Sequence, residues 1–314
     1  MFRLVAQRLL ALVPLLFIVS VLAFSFTSLL PSDPVDLILG DTGTQEQHEM
    51  LRERMGLNEP LVVRYFQWLG KAVQGDLGTS FFNSVSVTDA VLLRLPVTLS
   101  LTAISALIAI VVGIAAGVAA ALHPRSWIDR LATVGATFGQ AVPNFWFGLI
   151  LVAVFAVNLR WFPATGFTPI SVSPWDWLRS VTLPSLALGL SSSAAIARQV
   201  RSAMVGVLQQ DYIRAARAQG LSSRRVILRH ALTNAMVPVV AVLSFQITVL
   251  LGGALIVEQV FAINGLGTLA IAAVRQQDIP MLQGLVLVMV GLVVLVQLAT
   301  DLLYGLLNPK ARPT

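Results

Sequence analysis

The run TLSLTAISALIAIVVGIAAGVAAAL, Thr98 to Leu122, has no charged residue in 25 positions. As a helix rising 1.5 Å per residue it reaches about 37 Å, more than the ~30 Å hydrocarbon core of a bilayer. Five further runs read the same way: Leu9–Leu30, Leu131–Val157, Leu183–Arg201, Val237–Val257 and Met281–Leu307. Ser191, Ser192 and Ser193 make Leu183–Arg201 the least apolar of the six. Asp301 is the one carboxylate inside them. The predicted fold class is an all-α polytopic membrane protein with about six transmembrane helices.

Composition agrees. Of 314 residues, 56% are hydrophobic and 11% charged, against about 25% charged in a soluble domain. So few charges cannot cover a soluble surface, which argues against a soluble enzyme. The absence of cysteine excludes disulfides, thiolate metal sites and a cysteine nucleophile. The first run follows Arg3 and Arg8 and is longer than the 7–15 residues of a cleavable signal core. It reads as an uncleaved first helix.

Orientation follows from lysine and arginine. With the N-terminus inside, segments 1–8, 123–130, 198–235 and 308–314 hold 13 basic residues in 61 positions. The opposite segments 31–96, 158–182 and 258–280 hold 8 in 114. Basic residues concentrate on the cytoplasmic side, so both termini are expected in the cytoplasm. Loop 31–96 carries nine acids against five bases, as suits an outer location. The expected organisation is an N-terminus and first helix at 1–30 and an extracytoplasmic loop at 31–96. A five-helix core at 97–307 holds a cytoplasmic loop at 202–236, and a tail at 308–314 ends the chain. The net charge of +6 marks the cytoplasmic face and is no sign of nucleic acid.

Catalytic signatures are missing. Gly70-Lys71 is followed by Ala72, so no phosphate-binding loop of the G-x-x-x-x-G-K-[ST] type exists there. His48-Glu49 starts like a zinc-protease motif, but position 52 is Arg. His48, His123 and His230 fall on different sides and cannot share a metal. Coupled secondary transporters place carboxylates or histidines along their path, and these runs carry almost none.

The basic inner loop is punctuated as a helix. Asp211 is placed to cap its start and Gly220 to end it in the left-handed conformation. Ser222 can cap a second helix through Arg225, Arg229 and His230. The small residues Ala215, Ala216 and Ala218 permit close approach, and Arg214 and Arg217 suit carboxylates or anionic lipid. Physics alone leaves a docking helix and a topology-setting basic loop equally open.

Asp211-Tyr212-Ile213-Arg214-Ala215-Ala216-Arg217-Ala218-Gln219-Gly220-Leu221 resembles the EAA motif of binding-protein-dependent ABC importer permeases, in its dipeptide/oligopeptide/nickel form. Arg214 stands where many permeases have Glu, and Pro238 lies later than the general motif's Pro. Further elements keep the order of that family: Gly75-Asp76-Leu77-Gly78-Thr79-Ser80, Arg94-Leu95-Pro96, Val142-Pro143-Asn144-Phe145-Trp146, Trp161-Phe162-Pro163, Glu258-x-Val260-Phe261 and Gly265-Leu266-Gly267. Asp278, Pro280, Gln283-Gly284 and Asp301-Leu302-Leu303-Tyr304 complete it, with Asn264 where many members have Pro. The enlarged first outer loop is similar to that of the B-type subunit.

The resemblance implies a type I importer permease with no catalytic residue, cofactor or metal of its own. It implies a heterodimer with a second permease, two cytoplasmic ATPases that bind ATP and Mg, and an extracytoplasmic substrate-binding protein, all at a bacterial inner membrane. It implies ATPase coupling through Asp211, Tyr212, Arg214, Ala215, Ala216, Arg217, Gly220 and Leu221. Asp76, Gly78, Glu258, Phe261, Gly265 and Gly267 are candidate binding-protein or gate contacts. Pro143, Phe145 and Trp146 are candidate pathway residues. Bland readings stand beside these: Gly75-Asp76-Leu77-Gly78 and Gly265-Leu266-Gly267 as turns, Pro143 as a kink, Phe145 and Trp146 as packing or interfacial residues, and Gly252-Gly253 as close helix packing. Dipeptides, oligopeptides, glutathione, haem and nickel are all substrates of such relatives. A secondary transporter or channel, and a membrane scaffold, are the alternatives of other classes.

Overall fold

The structure, a computed structural model, describes residues 2–28, 34–39 and 44–307. The tail 308–314 and the turn residues 31–33 lie outside them. The chain divides into two compact units, one of residues 1–7, 97–264 and 295–314, the other of residues 8–96 and 265–294. The described residues are almost wholly helical, with one isolated antiparallel bridge between Thr79 and Ser86.

The elements are α1 (Phe2–Ser28), α2 (Pro34–Leu39), α3 (Gln45–Arg54), α4 (Leu61–Val73), α5 (Val87–Leu122), α6 (Trp127–Ala141), α7 (Asn144–Leu151, continued by a π-helical turn Val152–Asn158) and α8 (Pro174–Leu208). Then follow α9 (Asp211–Ala218), α10 (Ser223–Arg225, with a π-helical turn Val226–Ala231), α11 (Leu232–Val260), α12 (Leu266–Gln276) and α13 (Ile279–Leu307). Four helices are long and apolar enough to cross a membrane by themselves: Val87–Leu122, Pro174–Leu208, Ser223–Val260 and Ile279–Gly305. The expected third span is broken. Its two halves, Trp127–Ala141 and Asn144–Asn158, meet at 102°. Pro143 is therefore the corner of a broken span and more than a kink. With ψ 136° at Pro143, the helix cannot continue through it. In α1 the described apolar stretch is Val13–Ser25, within a helix of 27 residues.

Helix ends follow local chemistry. Thr44 and Gln47 close a reciprocal capping box at α3. Ser126 caps α6 by accepting from the Asp129 N–H, and Ser173 caps α8 by accepting from Asp176, with Pro174 in its first turn.

In the first unit, α8 is the central element. Its middle, from Ser180 to Ala197, is buried or half-buried at every position. Here lies the reason for the weak hydropathy of its serines: Ser185, Ser192 and Ser193 face protein. Helices in lipid gain little from apolar burial against each other, so they associate through close contact of small residues. A Cβ on Gly117 would stand 2.6 Å from the Ala197 carbonyl oxygen, and one on Gly113 would stand 2.7 Å from the Ile196 Cβ. From the other side, a Cβ on Gly189 would meet the Ser105 carbonyl oxygen at 2.7 Å. Helices α5 and α8 thus touch backbone to backbone. Of the expected close pair, Gly253 abuts Leu188 while Gly252 faces open space. Asp129 of α6 and Arg201 of α8 form a two-pronged ion pair, with Arg201 Nη2 2.7 Å from Asp129 Oδ2.

In the second unit, α4 packs on α1 through an aromatic cluster. Tyr65 lies 6.1 Å from Phe17 and 5.5 Å from Phe24 between ring centroids, and its hydroxyl shares a 2.8 Å hydrogen bond with Ser20. Leu77, Val87, Val91, Leu266, Leu269, Met281 and Leu285 form the other core of this unit.

Candidate functional site

Helix α9 is the loop element singled out by sequence. Eight residues are marginal as an isolated helix, so its order depends on anchoring. Ile213 and Ala216, one turn apart, are buried at 0% and 8% exposure. They share a core with Val200 and Met204 of α8 and with Val226, Ala235 and Val239. The C-terminus closes as a Schellman motif: Leu221 N–H donates to the Ala216 carbonyl at 3.3 Å, and Gly220 N–H to Arg217 at 3.0 Å. Gly220 has φ +81°, the conformation its side-chain-free backbone accepts. Leu221 packs on the same core, completing the motif's apolar contact.

Two expectations change here. Asp211 is the first helical residue, and Gln210 holds the N-cap position without a side-chain hydrogen bond. Asp211 still favours the positive helix end and stands 3.4 Å from Arg214 in an exposed pair. Such pairs contribute about 0.5 kcal/mol or less. Ala216 faces the protein's own core, so the outward face of α9 consists of Asp211, Tyr212, Arg214, Ala215, Arg217 and Ala218. Ser222 takes the next N-cap position, and its helix runs on into α11 as one element, Ser223–Val260.

The corner at Pro143 exposes Phe145 and Trp146 to 41% and 51%. A cavity of about 460 Å³ lies beside it, lined by Phe138, Asn144, Trp146, Ile150, Leu190 and Ser191 among others. Its walls are mostly apolar.

The remaining candidates separate into buried and accessible sets. Helix α11 extends to Val260 and so includes Glu258, which is fully buried and accepts a 2.7 Å hydrogen bond from the Thr98 hydroxyl. Phe261 is 2% exposed, and its ring would stand 3.1 Å from a Cβ on Gly148. Gly265 and Gly267 are buried too. They begin α12 and form no free turn, Gly265 being its N-cap. Asp76 is exposed and Gly78 half-buried. The Asp76 carboxylate accepts from the Gly78 N–H at 2.9 Å, and Gly78 has φ +92°. Ser80, two residues on, donates to the buried Asp278, which also accepts from Phe81 N–H at 3.3 Å and Met281 N–H at 3.4 Å. The Gly75–Ser80 element is thereby fastened to the start of α13.

Sequence reasoning missed three pairings: Asp129–Arg201, Thr98–Glu258 and Ser80–Asp278. Each spans between 72 and 198 residues, and no local pattern announces it. The four-residue spacing of Gly113 and Gly117 was a legible signal of close helix packing.

Long apolar helices, one broken span and a short seated helix between two others define a polytopic all-helical membrane protein. Family comparison agrees. "Binding-protein-dependent transport system inner membrane component" matches residues 109–313, and its companion N-terminal description matches residues 1–102. The chain belongs to this family of ABC importer permeases, which are non-catalytic inner-membrane components. It is 41% identical over 312 residues to a protein of Brucella abortus (strain 2308) named for a peptide transport system permease, covering 99% of each chain. It is 40% identical to the glutathione transport system permease protein GsiC of Escherichia coli (strain K12), again covering 99% of each. Inward-facing structures of the MetNI methionine ABC transporter share the fold. One matches at TM-score 0.58 and 18% identity, covering 70% of this chain and 96% of that one. Another matches at TM-score 0.55 and 19% identity, covering 67% and 93%.

Proposed function

We propose that this permease carries di- or oligopeptides and couples to its motor through α9. The observation that carries the coupling is the seating of α9. Two buried anchors seat it in the core it shares with α8 and the Val226–Ala231 turn, while Tyr212, Arg214 and Arg217 are exposed. A helix so held transmits force as a rigid body, and its arginines suit acidic or carbonyl-lined grooves. The partners are two cytoplasmic ATPases binding ATP and Mg, a second permease completing the path, and an extracytoplasmic binding protein that selects the substrate. Both termini then lie in the cytoplasm. ATP shifts the population between inward- and outward-facing states by differential contacts at α9. In this reading Asp76 and Gly78 meet the binding protein. Glu258, Phe261, Gly265 and Gly267 act from inside as gate supports, and Pro143, Phe145 and Trp146 border the path.

The peptide substrate rests on relatives matched over nearly the whole chain. Glutathione is the second reading, supported by an almost equal match. Arg214→Glu and Arg217→Glu, in the complete importer, test the coupling. Uptake falls more than about tenfold, the loss expected for reversing a docked charge, while the folded permease and ATP hydrolysis persist. Undiminished uptake in both variants would sink the assignment. Binding of dipeptides against glutathione to the partner binding protein decides the substrate.

A further inference from the structure

Helix α4 has three faces. Tyr65, Trp68 and Ala72 turn inward, toward α1 and the core of the second unit. Val62, Phe66 and Val73, spaced four and seven residues apart, are 63%, 57% and 81% exposed. Arg64, Gln67 and Lys71 form the third face and line a cavity of about 440 Å³ together with Trp68, Asp76 and Gln283. Arg64 and Lys71 stand on the side of α4 opposite this apolar face, the two-sided pattern of a segment lying in a membrane interface.

Two groups at the cavity lack partners. The Arg64 guanidinium is half-buried, and burial pulls its pKa below the ordinary value; among the described residues no acid pairs with it. The Trp68 indole N–H is buried and has no hydrogen-bond partner. A buried donor without a partner is destabilising, so the Trp68 N–H awaits an acceptor, and the half-buried Arg64 a counter-charge. Asp76, the acid in the lining, is already engaged by Gly78.

The exposed apolar face continues onto the apolar side of α1. Phe66 lies 5.2 Å from Tyr65, and Tyr65 lies 6.1 Å from Phe17 of α1 between ring centroids. Phe17, with Leu10, Val13, Ile18 and Leu22, is on the exposed side of α1. Acyl chains covering α1 would therefore run against Phe66 and Val62.

We propose that this cavity binds the phosphate of a phospholipid headgroup. Arg64, Lys71 and the Trp68 N–H hold the phosphate oxygens, and α4 lies in the interface with Val62, Phe66 and Val73 among the acyl chains. The assignment is independent of the transported substrate.

The test uses the complete importer, delipidated in detergent and reloaded from phosphatidylglycerol vesicles, with retained lipid counted by native mass spectrometry. Arg64→Gln and Trp68→Phe each lower retention by about tenfold or more, the loss of one charge-assisted or buried hydrogen bond. Trp68→Phe keeps the ring against Phe24 and Tyr65, and the exposed Lys71→Gln serves as a further variant that spares the fold. Phe66→Trp gains fluorescence that lipids brominated on their acyl chains quench, above the wild-type background. Retention unchanged in all three cavity variants, or an unquenched Phe66→Trp, would overturn the proposal. So would displacement of the lipid by millimolar dipeptide, which would make the cavity a solute site.

Discussion

Ile213→Ala separates the seating of α9 from its outward chemistry. Ile213 is wholly buried between α8 and the Val226 turn, and no part of it reaches the exposed face. The substitution removes three carbons, at about 0.8 kcal/mol per buried methylene, or about 2.4 kcal/mol. Measured Ile→Ala losses of roughly 2–5 kcal/mol, which include the cavity left behind, bracket that figure. An eight-residue helix has little stability of its own, so the loss falls on local docking and not on the whole bundle. At 1.4 kcal/mol per factor of ten, the unseated population rises about 50-fold. Hydrogen exchange read by mass spectrometry measures this opening directly. Amides of residues 211–218 exchange about 50-fold faster in Ile213→Ala, while those of 185–200 in α8 keep their protection. Uptake falls together with the lost protection although Tyr212, Arg214 and Arg217 are untouched. If residues 211–218 keep wild-type exchange, the two-anchor account of α9 is wrong.

Asp129→Ala strands the Arg201 guanidinium and the Arg125 N–H. Arg201 is 37% exposed, so the cost is about 1–3 kcal/mol, below that of a fully buried pair, and Arg201→Met in the same chain restores part of the lost thermal stability. Gly117→Val drives a side chain into the Ala197 carbonyl and lowers the melting temperature of the complex by the equivalent of about 1–3 kcal/mol or more. Gly206→Ala in α8, with nothing within 4 Å, leaves it unchanged or higher. Ser80→Ala withdraws a donor from the buried Asp278, and residues 76–86 exchange amide protons faster by about tenfold while α8 is unaffected.

Several features are legible in the sequence. The spans centred on Thr98–Leu122, Val237–Val257 and Met281–Leu307 reappear in α5, α11 and α13, extended at their ends by up to about a dozen residues. The extensions are polar or mixed, and hydropathy alone stops where charge begins. The stretches Gln45–Met55 and Leu61–Ala72 of the first loop read as helix-like patches in sequence, and α3 and α4 occupy them. Gly265-Leu266-Gly267 reads as a turn in sequence, yet it opens α12. Glycine at a helix start is tolerated, and only the buried Leu266, Leu269 and Ala273 behind it reveal the helix.

By itself the sequence determined the class, because the interior of a bilayer excludes charge and demands satisfied backbone hydrogen bonds, and long uncharged runs meet both needs only as helices. It also determined where α9 ends, since the left-handed turn at Gly220 is a local backbone property. Tertiary structure alone decided which face of α9 is spent on anchoring. Ala215 and Ala216 are chemically identical, and only the placement of Val200, Met204 and Val226 buries one and exposes the other. The same holds for Glu258 and Asp76. Both are carboxylates in motif-like surroundings, yet one lies sealed against Thr98 and the other open at a turn. Burial is a relation between distant segments, and no local pattern encodes it.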